Sequence, residues 1–424
     1  MTLLTAGVLT APPAALAAPV TSAVFNDPTV TTAEKTQLQN KIVELIGTAP
    51  TGSRIRMAMY YADDATIPNA LIAAHQRGVN VQVVFDGRET AETLWPSLTA
   101  ELGTSLSAAS WALACPAGRG CIGSRVLGNV DSINHNKFFL FSSTGGASNV
   151  VVQSSANLHN GRDGLGGWNN ALILVGNTAA YNYYSAYFDD LKGRVVNNNY
   201  YDTRTPLQAG NSKIFFYPRQ EQSGTSPYQN PAEDTIYTIL SNVDCFGNSV
   251  VGTQDGTHRT IIRVAMSMFS RDYLAKKLWD LDAAGCYVEV VETYHPGSDL
   301  EVSAMKKLLA TAGGYHGPAV KYYCDTDSIW IHSKYFEVEG VYYGKADRKI
   351  VWTGSHNWTT NSLRQADEAI LQLEDATVFD AYTANFRQIR DSATIRSVAN
   401  GGAASCFRCC PAKPECPRPD QPLA

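Results

Sequence analysis

Two short stretches carry the same pair of reactive side chains at the same spacing. The first is Asn134-His135-Asn136-Lys137, running into Phe138-Phe139-Leu140-Phe141. The second is Ile331-His332-Ser333-Lys334, running into Tyr335-Phe336-Glu337-Val338. At the head of an apolar strand, an i, i+2 spacing sends both side chains to one face. The product is an imidazole beside an ammonium, an anion site holding a group that titrates near neutrality. Each pair is followed by a polar cluster: Gln153-Ser154-Ser155-Ala156-Asn157, then Thr353-Gly354-Ser355-His356-Asn357. Ser155, Asn157, Ser355 and Asn357 offer hydrogen-bond donors to phosphoryl oxygens. A lone His-x-Lys matches by chance too often to mean much. The order His, Lys, Ser, Asn kept twice is far more specific. Two lysines and two asparagines supply fixed positive charge and donors to an anionic centre. A neutral imidazole supplies a nucleophile or base, and a protonated one an acid. His159 and His356 flank the asparagines and read as polar loop residues. Asp86 and Arg88, at the end of a strand-like run, are a weak signal.

The elements that must position these groups also repeat. Residues 53–60 read SRIRMAMY and residues 260–269 read TIIRVAMSMF. Arg56 and Arg263, Leu71 and Leu278, and Gly78 and Gly285 all share one offset of 207 positions. Each block reads as apolar strand, amphipathic helix, glycine stop and apolar strand. That βαβ pattern predicts a mostly parallel sheet covered by helices. A short apolar run stopped by proline precedes each block, at 23–28 and 214–218. Helical stretches follow them, Thr32 to Ile46 and Ala232 to Leu240. The aromatic run 181–188, YNYYSAYF, has the spacing of an amphipathic helix packed on a sheet.

The expected fold class is therefore α/β: two similar α/β/α sandwich halves related by a pseudo-twofold axis, packed face to face, with the active site at their interface. Residues 1–21 form a leader or flexible N-terminus, 22–205 the first half and 206–397 the second. Residues 398–424 form a Cys/Pro-rich tail without a core of its own. The polar stretch 203–212, TRTPLQAGNS, suits a linker.

His-x-Lys, an apolar run and then (Gly/Ser)-Ser-x-Asn, present twice, resembles the phospholipase D superfamily, whose full signature is HxKxxxxD followed by GSxN. The resemblance spans nearly the whole chain. It implies a phosphodiesterase that requires no metal and no other cofactor, with both motifs building one site. One histidine attacks phosphorus and forms a covalent phosphohistidine. The other protonates the leaving group and then activates water or an alcohol. The catalytic set carried over is His135, Lys137, Asn157, His332, Lys334 and Asn357, with the lysines and asparagines holding phosphoryl oxygens. By the same analogy His135 is the nucleophile and His332 the general acid. This sequence departs from the signature at its aspartate, which is Ser142 in the first motif and Glu339 in the second. Ser154 also stands where glycine is usual. The family places a carboxylate downstream to orient a histidine, and Glu368 in Ala366-Asp367-Glu368 fits. Its first-half counterpart falls at Asn170, in Trp168-Asn169-Asn170, so one histidine–carboxylate pair is replaced by an amide. Asn170 and Glu368, with Ser155 and Ser355, form the supporting set.

Composition narrows the substrate. The formal net charge is -5, the sequence pI is about 5.9, and no dense Lys/Arg run occurs. A chain with general affinity for nucleic acid needs a basic face. The family's nucleases are often small, basic, single-motif dimers, unlike this chain. A phospholipid, hydrolysed or transferred, is favoured over an endonuclease substrate. The changes at 142 and 170 keep open a third reading, a phosphate-binding relative without catalysis. With both motifs in one chain, a monomer with transient membrane-surface contact is expected. The N-terminus is apolar and carries Ala15-Leu16-Ala17 before Ala18, a small-x-small pattern like a signal peptidase site. Secretion is therefore expected, and no later stretch is long and apolar enough to span a membrane. Of the nine cysteines, Cys115 and Cys121 suit a disulfide. Cys286 reads as a core residue. Cys406, Cys409, Cys410 and Cys416 suit disulfides better than a zinc site, because CFRCC has no second CxxC beside it.

Overall fold

The computed structural model describes residues 17–406, apart from 89, 91–93, 223, 225, 227–229 and 312–316. Residues 1–16, within the expected leader, and three of the tail cysteines, Cys409, Cys410 and Cys416, lie outside the described residues. In the first half the strands are β1 (Ser22–Phe25), β2 (Arg54–Met59), β3 (Asn80–Phe85) and β4 (Trp111–Ala114). After them come the two-residue β5 (Val126–Leu127) and β6 (Val130–Asp131), then β7 (Lys137–Thr144), β8 (Ala147–Ser154) and β9 (Asn170–Leu174). In the second half they are β10 (Leu207–Ala209), β11 (Ser212–Tyr217), β12 (Val243–Asp244), β13 (Ile261–Met266) and β14 (Tyr287–Tyr294). These are followed by β15 (Ala319–Cys324), β16 (Lys334–Tyr342), β17 (Lys345–Gly354), β18 (Glu368–Leu373) and β19 (Arg396–Val398).

The first sheet runs β1-β9-β8-β7-β2-β3-β4 and the second contains β11-β18-β17-β16-β13-β14-β15. The two orders correspond strand for strand, so the sequence repeat is a structural repeat. β10 and β19 extend the second sheet at its edges, and β12 pairs with β16. The linker stretch is thus partly β10, which forms a hairpin with β11. The expectation of mostly parallel sheets is corrected. Only β2-β3-β4 and β13-β14-β15 run parallel, while β7, β8 and β9 and their repeats pair antiparallel. The βαβ blocks supply the parallel strands. The motif strands follow as hairpins, whose short connections enforce antiparallel pairing.

Both faces of each sheet are covered, which is why the motif strands read as continuous apolar runs. Phe138 and Leu140 face the core between the sheets, and Phe139 and Phe141 face outward, the two-residue period of a strand. Outside the first sheet lie the helices Gln37–Gly47, Thr66–Gln76 and Leu94–Leu102. Outside the second lie Thr235–Leu240, Asp272–Ala283 and Asp299–Leu308. Between the sheets lie the last long helix of each half, Thr178–Gly193 and Ala376–Arg390. The aromatic run is buried as read, through Tyr181, Tyr184, Tyr187 and Phe188. The helix Thr178–Gly193 also packs on β10 and β11, and Ala376–Arg390 on β1, so each half contributes a helix to the other's inner face.

Three disulfides staple the described chain. Cys115–Cys121 forms as read. Cys286 is buried but bonded to Cys245, which corrects its reading as a plain core residue. Cys406 bonds Cys324, so the start of the tail is tied to the second sheet. The described part of the tail thus leans on the core of the second half, where Ala404 and Cys406 are partly buried.

Candidate active site

His135 and His332 occupy equivalent places, each two residues ahead of a motif strand. The His135 amide donates to Asp367 O (3.0 Å), and the His332 amide to Trp168 O (2.9 Å). Lys137 and Lys334 open β7 and β16. Each folds its Nζ back onto the carbonyl of its own histidine, at 2.8 Å and 2.5 Å. Both histidines and both lysines are buried. The segment bearing His135 is pinned further by Asp86, whose carboxylate accepts from the amides of Asn134 (2.7 Å) and Arg88 (3.1 Å). That gives the weak Asp86 and Arg88 signal a supporting position beside the site.

The ring orientations come from across the seam. His135 Nδ1 lies 2.9 Å from Glu368 Oε1, and His332 Nδ1 lies 3.0 Å from Asn169 Oδ1. The expected partner of His332 was Asn170, and the structure corrects this by one residue. Ser154 pairs with Ala171 and Gly354 with Ile370. The Ser155 amide donates to Asn170 O and the Ser355 amide to Ala369 O. The counterpart of Glu368 is therefore Asn169. Asn170 turns to the other face of β9, where its Nδ2 donates to Thr353 Oγ1 (2.6 Å) and to the Tyr382 hydroxyl (2.9 Å). A one-residue slip in a strand reverses the face of every side chain, and the sequence carried no gap mark to reveal it.

The serines act on these orienting residues. The Ser155 hydroxyl donates to Asn169 Oδ1 (2.9 Å) and accepts from the Asn170 amide (3.0 Å), while the Ser355 hydroxyl accepts from the Ala369 amide (3.2 Å). Their hydroxyls brace the start of β9 and β18, where the sequence suggested phosphate donors. Asn157 donates through Nδ2 to Asp163 Oδ2 (2.7 Å), and Asn357 lines a cleft shared with His135. His159 lies between Asp63 (2.6 Å) and Asp163 (3.3 Å). His356 lies in the loop after β17, as expected, but is buried, its ring 4.4 Å from that of Tyr217. Ser142 and Glu339 lie far along their strands: the Ser142 hydroxyl accepts from the Arg54 amide and Glu339 pairs with Arg263. Tyr60 and Asp163 were missed by sequence reasoning. The Tyr60 ring is edge-on to His135 (5.3 Å) and carries Lys137 Nζ over its face (5.3 Å). Tyr60 closes the SRIRMAMY strand, a position that marked it; nothing in the sequence marked Asp163.

A family model described as the PLD-like domain of cardiolipin synthase matches residues 42–192 and 257–390, most of the chain. The chain belongs to this family. It thus lies in the phospholipase D superfamily of phosphodiesterases, as the paired motifs implied. No curated protein matches it in sequence. Among solved structures, polyphosphate kinase from Porphyromonas gingivalis aligns with a TM-score of 0.54 and 14% identity, covering 90% of this chain and 49% of the kinase. The chain spans about half the length of that enzyme. Phosphatidylserine synthase from Haemophilus influenzae Rd KW20 aligns with a TM-score of 0.52 and 14% identity, covering 86% of each chain. At these identities the likeness is one of fold, and it agrees with the two-sheet α/β architecture.

In this phospholipase D-like site the electrostatics are asymmetric. Burial lowers the His135 pKa, while the Glu368 carboxylate opposes that fall. Burial alone would raise Glu368, but His135, and behind it His356 and Lys137, hold it down to about 2. His332 is pushed well below the usual histidine value by burial and then by Lys334, Lys137 and His135. No carboxylate offsets this. Burial takes Lys137 down to about 7, and burial together with Lys137 takes Lys334 far down. Two lysines that repel each other in a dry site favour a bound anion, whose charge restores their protons. A cleft of about 430 Å³ reaches His135 and draws its walls from both halves. Its apolar lining is Leu127, Val130, Ile133, Met268 and Leu300. Ser270, Ser298, Thr359, Asn361 and Gln365 are among its polar residues.

Proposed function

We propose that this chain is a secreted phosphodiesterase that hydrolyses or transfers the phosphodiester of a phospholipid through a covalent phosphohistidine on His135, with His332 as general acid and base. The observation that carries the reading is the cross-seam pairing. Each histidine is oriented through Nδ1 by the opposite half, and only His135 has a charged partner.

An Nδ1–H donated to Glu368 leaves the Nε2 lone pair of His135 to attack phosphorus. As the P–N bond forms, the P–O bond to the leaving group breaks, and His332 Nε2–H delivers its proton to the departing oxygen. The phosphorylated imidazole is a cation, and Glu368, held ionised, is its counter-charge. Neutral His332 then takes a proton from water or an alcohol, whose oxygen attacks phosphorus and displaces His135. Lys137, Lys334 and Asn357 supply positive charge and donors to the phosphoryl oxygens. The arriving phosphate also raises the depressed pKa of His332 and so supplies the protonated form that the acid step needs.

The apolar lining of the cleft favours a substrate whose phosphodiester adjoins hydrocarbon, and the matched family is named for a phospholipid-making enzyme. The formal charge of -5 weighs against nucleic acid. Three disulfides among the described residues fit an oxidising, extracellular location. The test is turnover by purified protein in excess EDTA, on phosphatidylcholine vesicles and plasmid DNA in parallel, with His332→Ala as control. Lipid turnover absent from the variant is expected. DNA cleavage absent from the variant would keep the chemistry and overturn the substrate. Loss of activity in EDTA would overturn the metal-independent mechanism.

A further inference from the structure

The mouth of the cleft is ringed by hydrocarbon that the catalytic chemistry does not use. β5 and β6 form a ribbon in which Val126 pairs with Asp131 and Leu127 with Val130. Its turn is Gly128-Asn129, both at positive φ (58° and 63°), the conformation of a tight two-residue hairpin. Val126 is 57% exposed and Val130 51%. Leu300, in the first turn of the helix Asp299–Leu308, is 41% exposed, and Met268, just after β13, is 37% exposed. Val130, Met268 and Leu300, with the less exposed Leu127, also line the cleft that reaches His135. Val130, Met268 and Leu300 therefore belong both to the exposed rim and to the cleft lining, while Val126, cross-strand from Asp131, projects from the ribbon's other face. Scattered exposed apolar residues need no explanation, but a contiguous apolar rim around a binding cleft does.

The ribbon is braced from behind. Gln365 Nε2 donates to Arg125 O (3.1 Å) and Val130 O (2.7 Å), and Arg125 forms a two-pronged pair with Glu221, both contacts at 2.6 Å. Gln365 lies three residues before Glu368, so the brace starts from the segment that leads into the strand orienting His135. The charge of Arg125 is neutralised by that pairing. Asp131 and Asp299 stand beside the apolar residues, so the rim is not a basic surface aimed at anionic lipid.

We infer that the ribbon Val126–Asp131, with Met268 and Leu300 across the cleft mouth, is a docking surface that rests in the outer layer of a zwitterionic phospholipid bilayer. The inference rests on the phospholipid reading of the active site. Its occupant follows from shared residues: exposed hydrocarbon of Val130, Met268 and Leu300 lines the same cleft as His135, which fits a molecule whose hydrocarbon adjoins its phosphodiester. Apolar side chains set at the interface supply affinity in proportion to the area they bury, without dependence on ionic strength.

The experiment is flotation of the full chain with phosphatidylcholine vesicles, alongside turnover of those vesicles and of a short-chain phosphatidylcholine kept monomeric. Val126 is exposed on the ribbon's other face and outside the cleft lining, and a ribbon set into the bilayer buries both faces, so Val126→Asp isolates docking. It is expected to weaken vesicle binding and vesicle turnover about tenfold while leaving monomer turnover as in the wild type. Val126→Trp is expected to tighten binding several-fold, and about 0.5 M salt to leave it unchanged. Wild-type turnover of both lipids, with Val126→Asp and Val126→Trp binding vesicles as the wild type does, overturns the docking surface alone. Binding that disappears in salt overturns apolar docking. Wild-type protein that turns over neither lipid but cleaves DNA overturns the lipid reading, and docking with it.

Discussion

The first half and the second half set the same imidazole in opposite company. His135 faces a buried carboxylate, Glu368, while His332 faces a buried amide, Asn169, at nearly the same distance. Much else about the two sites repeats: the lysine folded on the histidine carbonyl, the serine bracing the next strand, the strand order. A carboxylate stabilises an imidazolium and an amide does not. In the proposed mechanism that difference divides labour between the two rings. The ring that must become a cation when phosphorylated has the counter-charge. The ring that must give a proton away has a neutral partner and a depressed pKa, which makes it a strong acid once protonated. Repetition built the site, and one substitution between the repeats polarised it.

The sharpest way to break this comparison is to remove each histidine and vary the leaving group. His135→Ala is expected to abolish turnover of every phosphodiester. His332→Ala should cost about 10²–10⁴-fold with an alkoxide leaving group and far less with p-nitrophenol, which departs without a proton. Steady-state kinetics on both substrate types decide it, and the reverse pattern would exchange the two roles. Next in size is the partner swap. Glu368→Gln is expected to lower kcat by up to about 10⁴-fold, because an amide neither fixes the tautomer nor balances the cation. Asn169→Asp should cost less than tenfold at its optimum, but shift the alkaline limb of the kcat/KM–pH profile, set by loss of the His332 proton, upward by about 1–3 units as His332 gains a carboxylate. An unmoved profile would sever Asn169 from His332.

Smaller again is the brace. Ser155→Ala removes the hydroxyl that holds Asn169 Oδ1 and is expected to lower kcat about 10-fold. The same change at Ser355, whose hydroxyl takes only a backbone amide, should cost less. Smallest is the effect of pH on stability. Both histidines have folded pKa values below about 6.5, their value in the unfolded chain. As the pH falls below that value, the unfolded chain binds protons that the folded rings refuse. Stability is thus full above about pH 6.5 and declines beneath it. Glu368 adds a further loss only as the pH falls from 4.5 towards about 2. Thermal unfolding midpoints at pH 7.5 and pH 5.5 should differ by a few degrees, and less in His332→Gln.

Local pattern was enough for much of this. The paired His-Lys motifs, the 207-residue offset and the aromatic helix were legible because each depends on residues a few positions apart, and periodicity reports which face is buried. The hairpin nature of the motif strands was less legible, because an apolar run buried on both faces reads the same in parallel and antiparallel sheets. The Cys245–Cys286 bond was hidden by a separation of 41 residues.

The sequence by itself determined that His, Lys, Ser and Asn recur in one order, that they come in two copies, and that one copy has an amide where the other has a carboxylate. Only the tertiary structure decided that Glu368 serves His135 and Asn169 serves His332, partners 233 and 163 positions apart. It also decided that Asn170, one residue further on, faces away. The physical reason is that strand pairing register and packing across the seam fix which side of a strand meets which histidine. Register is a property of two strands together, which neither strand's sequence states alone.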